Sequence, residues 1–129
     1  MLCTQDPDTN NWWMQFGEKN IGYWPAELFE SIRYNAASVE WGGEVYSTSI
    51  GKTPHTGTDM GCGRFATDKL EAASVTRIRI HDNSAMWKFP EWVYEYSDEY
   101  RCYDVWYVGD YVEDPLLYFG GPGRNPMCP

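Results

Sequence analysis

At 129 residues, 43% of them hydrophobic, the chain has room for one domain at most and enough apolar material for a core, which excludes disorder as its default state. A net charge of −9, from 10 basic against 19 acidic residues, would repel phosphates and so excludes nucleic acid and an anionic membrane surface as partners. No apolar run approaches the ~20 residues that span a bilayer, and Met1-Leu2-Cys3-Thr4-Gln5-Asp6 has neither the basic region nor the apolar stretch of a targeting segment.

Aromatic residues make up 17% of the chain, and such side chains suit half-buried pleated surfaces, so strands are expected. Residues 1–10 read as an irregular N-terminal segment that ends in the turn-rich Asp6-Pro7-Asp8-Thr9-Asn10. Asn11-Trp12-Trp13-Met14-Gln15-Phe16 follows as a strand with Trp12, Met14 and Phe16 on one face. A four-residue hairpin connection, Gly17-Glu18-Lys19-Asn20, leads to the strand Ile21-Gly22-Tyr23-Trp24. Pro25 is suited to the first position of a short helix whose buried stripe is Leu28, Phe29 and Ile32.

Residues 37–47 resume an extended pattern, with Val39, Trp41 and Val45 set against Glu40, Glu44 and Tyr46. Gly42-Gly43 interrupts it, and glycine inside a strand marks a bulge or a close approach by a backbone or a ligand. Residues 48–65 read as a surface loop. Thr76, Ile78 and Ile80 alternate with Arg77, Arg79 and His81 as a strand with one wet face. Further strands are predicted at 92–96, 102–108 and 116–119, before a tail whose three glycines and three prolines forbid regular structure. The expected fold is all-β: an antiparallel assembly of about six to seven strands with one short helix and no internal domain boundary.

For chemistry, no metal is expected, because His55 and His81 lie far apart and no cysteine pair has zinc-ligand spacing. A nucleophile elbow and a phosphate loop are also missing. Carboxylates remain, and hydrolysis by a carboxylate pair needs one group protonated to donate and one ionised to activate water. Glu44 stands apart from the solvated acidic residues, since its glycine and aromatic neighbours predict partial desolvation and a raised pKa. Trp13, Tyr23, Trp24 and Trp41 read first as core and second as the lining of a groove for sugars or proline rings. The even count of four cysteines fits two disulfides or four free thiols; Cys102 with Cys128 would tie the tail to a strand, and Cys3 with Cys62 is left open.

Asn11-Trp12-Trp13, Ile21-Gly22-Tyr23-Trp24-Pro25, Leu28-Phe29, Trp41-Gly42-Gly43-Glu44-Val45, Met60-Gly61, Gly63 and Phe119-Gly120-Gly121-Pro122-Gly123-Arg124-Asn125-Pro126 occur in one order along the chain. In these strings residues 11–129 resemble the C-terminal half of the plant neprosin domain. The resemblance implies an antiparallel β-sandwich, secretion, and a glutamic endopeptidase that cleaves after proline with two catalytic glutamates and no cofactor. One of those glutamates corresponds to Glu44, and the family's C-terminal disulfide corresponds to Cys102 with Cys128. The other glutamate, the signal peptide and the propeptide belong to the family's upstream half, so the chain is expected to be incomplete and inactive alone. Its partners would be that half and a proline-containing peptide or protein, with Tyr23, Trp41 and Tyr46 as substrate-groove residues. The sequence departs from the family at Cys62, where Met-Gly-Ser-Gly is usual. The competing expectation is a non-catalytic, aromatic-rich module that binds cell-wall polysaccharide or proline-rich protein.

Overall fold

The computed structural model describes residues 1–82, 84, 86–109 and 112–129, and the chain divides into two units, Met1–Glu40 and Trp41–Pro129. In the first unit the strand β1, Leu2–Gln5, pairs antiparallel with β2, Trp12–Phe16, which pairs in turn with β3, Lys19–Trp24. The irregular segment expected over residues 1–10 therefore contains a strand. Its alternating Leu2 and Thr4 meet Gln15 and Trp13, so a short run with weak apolar content is held by an aromatic neighbour rather than by its own propensity.

The β2–β3 connection is tighter than the sequence predicts. Phe16 pairs with Lys19 across a two-residue turn, and the register shifts between Met14 and Gln15, leaving Ile21 as the extra residue of a bulge. The bulge lets Trp13 sit opposite Tyr23, with ring centroids 4.8 Å apart. The helix predicted after Pro25 is a single 3-10 turn, Ala26–Leu28, and Leu28 is exposed. Tertiary hydrogen bonds explain the stop: the Trp12 indole donates to Ile32 O at 2.8 Å and the Gln5 amide to Arg33 O at 2.7 Å, so these carbonyls serve the sheet instead of a helix ladder.

In the second unit β8, Leu116–Gly120, is the central strand between β4, Ala73–Thr76, and β7, Asp104–Val108, all antiparallel. Leu-Leu-Tyr-Phe suits a strand by its apolar and aromatic content, β8 is hydrogen-bonded along both edges, and Leu117 is buried between Val75 and Tyr107. The single strand predicted around residues 76–81 is broken, since Arg77 adopts φ 56° and separates β4 from the two-residue β5, Ile80–His81, which pairs with β6, Trp87–Lys88. Ile78 is buried at the break, while Arg79 pairs with Asp114 and stacks 4.0 Å over Phe89. Residues 92–96 form no strand, and Trp92, Tyr94 and Tyr96 are exposed.

The architecture is thus all-β and antiparallel, with 3-10 turns as its only helical elements among the described residues; the sandwich is realised only in part, as sheets of three, three and two strands. The aromatics are not the core that the sequence favours. Tyr103 is the one aromatic among the buried hydrophobic residues described, and it clusters with Cys102 and Cys128 against Val45, Ile50 and Met60.

Candidate functional site

Glu44 is carried by residues 41–47, which run without a sheet ladder, in place of the expected strand. Two contacts position the segment instead. Val45 packs on the Cys102–Tyr103–Cys128 cluster, and Gly43 lies so close to its neighbours that a Cβ there would stand 2.7 Å from Met60 Cγ and 2.8 Å from Phe119 Cε2. Gly43 therefore answers a close approach from the protein's own side chains, whereas a Cβ on Gly42 would meet open space. Between these anchors the extended backbone turns alternate side chains outward: Trp41 and Val45 are half-buried, Glu44 and Tyr46 exposed, Tyr46 at 91%. The partial desolvation expected for Glu44 is not found: its side chain is exposed.

Of the predicted site residues, Trp41, Glu44 and Tyr46 share this one segment of the second unit. Tyr23 belongs to the first unit, half exposed and paired with Trp13. Cys102 and Cys128 form a disulfide, with Cα atoms 5.4 Å apart. Cys3 and Cys62 are free thiols, and Cys62, at the position where the family usually has serine, donates its S–H to Glu71 O at 2.6 Å.

The disulfide is one of several ties on the irregular tail. Met60 N–H donates to Gly121 O at 2.9 Å, Arg124 N–H to Thr56 O at 2.7 Å, and His55 N–H to Pro129 O at 3.0 Å. The Asn125 amide reaches Arg101 O at 2.9 Å. Only glycine fits at position 121, where a Cβ would lie 2.3 Å from Cys102 O. The tail thereby locks residues 55–60 and the start of β7 into the framework that carries Val45 and so Glu44.

Three groups near this framework, Asp104, His55 and Tyr103, are not among the site residues that the sequence predicts. Asp104, at the start of β7, accepts the Ala66 N–H at 2.5 Å and so caps the 3-10 turn Ala66–Asp68. Burial raises its pKa, with the Asp68 charge adding to the rise, although the N–H groups of Ala66 and Thr67 oppose it. His55 is buried although the loop around it was expected to be a surface one. Burial also raises the pKa of Tyr103, helped by Asp59 and Glu99, and its hydroxyl donates to Thr58 O at 2.9 Å.

The described residues form an antiparallel all-β chain that presents a solvent-facing glutamate from a glycine-packed segment anchored on the disulfide cluster. A family model described as Neprosin matches residues 1–122. The chain belongs to the neprosin family, and that membership points to a peptidase-like function. The match begins at residue 1 and so takes in β1, ahead of the first string by which the sequence resembles the family.

Proposed function

We propose that this chain is part of a secreted glutamic endopeptidase that cleaves after proline, with Glu44 as one of its two catalytic carboxylates. The observation that carries the reading is the anchored Trp41-Gly42-Gly43-Glu44 segment inside the family match, with Glu44 free to meet a substrate. A carboxylate pair works by dividing labour: one group takes a proton from water as it attacks the scissile carbonyl, and the other donates a hydrogen bond or proton to the developing oxyanion. Glu44 supplies one of these; the second comes, in this reading, from the other half of the family's domain. Tyr46 and Trp41 offer aromatic surface to the proline ring, and the open face of Gly42 admits substrate backbone.

The test is cleavage of a proline-containing peptide at acidic pH by the intact domain and by its Glu44→Gln variant. Loss of a general acid or base costs roughly 10²- to 10⁴-fold. Equal rates would remove Glu44 from the mechanism. Residues 1–129 by themselves should not cleave the peptide, since one carboxylate cannot divide that labour.

A second reading is favoured by the exposure of Trp87, Phe89, Trp92, Tyr94, Tyr96 and Tyr100, whose rings are open to stacking. In it the chain is a binding module for cell-wall polysaccharide or proline-rich protein. Polymer binding that survives Glu44→Gln, together with no cleavage by the intact domain, would favour this alternative.

A further inference from the structure

Residues 91–98 of the second unit interleave rings with carboxylates at the surface. Trp92 and Tyr94 are each 84% exposed, and Tyr96 is 78% exposed. Glu91, Glu95 and Asp98 are exposed too, and no described residue forms an ion pair with them, the described pairs being Arg64–Glu71, Arg79–Asp114 and Lys88–Asp82. Glu95 accepts the Tyr107 N–H at 2.6 Å and Asp98 accepts the Tyr96 hydroxyl, both neutral donors that leave the negative charge in place.

The backbone of residues 93–97 runs without a sheet ladder, and no described residue gives it a main-chain hydrogen bond. It offers the N–H and C=O groups through which a second chain adds to an edge. Trp92 adopts φ 57°, a conformation that bulky residues seldom take, at the rim of a cavity of about 450 Å³ that Phe89, Pro90, Val93, Tyr107 and Pro115 also line. Beside this cavity the protein seats a cation of its own: the Arg79 guanidinium stacks 4.0 Å over Phe89 and pairs with Asp114. The same combination of ring and carboxylate recurs along residues 91–98, where no described cation of the chain stacks on Trp92, Tyr94 or Tyr96.

We infer that residues 91–98 dock an extended cationic polypeptide, whose lysine or arginine side chains lie over the rings beside the carboxylates while its main chain pairs with residues 93–97. Charge complementarity selects the occupant, since the carboxylates here are unneutralised and the chain as a whole carries −9, which steers a basic partner inward. The unpaired backbone selects a polypeptide over a polysaccharide, because amides supply matching donors and acceptors in register. The inference rests on the second reading above, that the exposed rings bind a polymer, and narrows that polymer to a basic polypeptide.

The probe is a labelled peptide of alternating lysine and threonine, titrated with the full chain and read by fluorescence anisotropy. It should bind, and raising salt from about 0.05 M to about 0.5 M should weaken it on the order of 10-fold. Methylating its backbone amides should weaken it further at constant charge. Neutralising the strip with Glu91→Gln, Glu95→Gln and Asp98→Asn together should cost on the order of 10-fold, whereas Glu18→Gln, Glu27→Gln and Glu30→Gln, the same change in net charge made in the first unit, should cost less than about 2-fold. Trp92→Ala should cost roughly 2- to 5-fold. Urea midpoints of all variants check folding, and the salt and peptide arms need no variant. Equal binding of a glutamate–threonine peptide, equal affinity in the two triple variants, or no effect of backbone methylation would each overturn the proposal. Binding of a cellulose oligosaccharide without binding of the basic peptide would overturn it while keeping the second reading, and binding of neither would remove both.

Discussion

Replacing Cys102 and Cys128 together with alanine releases the tail from the segment just before β7 without leaving either thiol unpaired. The two cysteines are separated by 26 positions, and closing a loop of that length restricts the unfolded chain by roughly 3.5 kcal/mol in the chain-entropy treatment. Four hydrogen bonds still hold the tail, from Met60, His55, Arg124 and Asn125, each contributing about 1 kcal/mol net. The variant should therefore fold but lose a large share of a stability that for a domain of this size is about 5–15 kcal/mol. Urea unfolding followed by fluorescence of the 7 tryptophans reads the change. With a slope near 2 kcal/mol/M the midpoint falls by roughly 1.7 M. A loss under about 1 kcal/mol would refute the reasoning, because it would mean that the hydrogen bonds alone fix the tail or that the unfolded chain already keeps those ends together.

Gly43→Ala should cost roughly 1–3 kcal/mol by urea unfolding, because its methyl would overlap Met60 and Phe119, whereas Gly57→Ala, whose Cβ meets nothing, should change stability by less than about 0.5 kcal/mol. Glu44→Gln should leave the unfolding midpoint within that same margin of about 0.5 kcal/mol, since the side chain is exposed, so any loss of cleavage in the intact domain is catalytic. Asp104 has a folded pKa raised by burial, so the folded state binds its proton more tightly than the unfolded state does. Its favourable contribution is full below the ordinary carboxyl range and is lost as pH rises through the folded value. Unfolding curves of Asp104→Asn and the parent chain, taken from pH 3.5 to pH 7, should show the variant gaining relative stability toward neutrality; a difference that is flat or of opposite sign would remove burial as the cause.

Strands whose apolar residues needed no distant partner to be recognised were legible along the chain: β2, β3, β7 and β8 stand within a residue or two of where alternation and aromatic content put them. Elements decided by partners were not. β1 exists because Trp12 to Gln15 lie beside it, and the expected helix shrinks to one turn because Trp12 and Gln5 take the carbonyls of Ile32 and Arg33. Alternation over residues 76–81 could not reveal the positive φ at Arg77, which is set by where Ile78 must be buried and Arg79 must pair. At the site, Trp41-Gly42-Gly43-Glu44 was conspicuous because glycines inside an aromatic run demand a steric reason, but that reason, Met60 and Phe119 pressed on Gly43, lies in two other segments.

By itself the sequence determined an all-β class and the family strings, both of which depend on residue type and local order, and it offered Cys102 with Cys128 as a candidate tie. Only the tertiary structure decided that Glu44 faces solvent, that Tyr103 is the one aromatic among the described residues of a core built on a disulfide, that Asp104 is half-buried and that His55 is buried. The physical reason is that desolvation and hydrogen-bond satisfaction depend on atoms brought in from remote positions, and a pattern read along one strand holds no record of them.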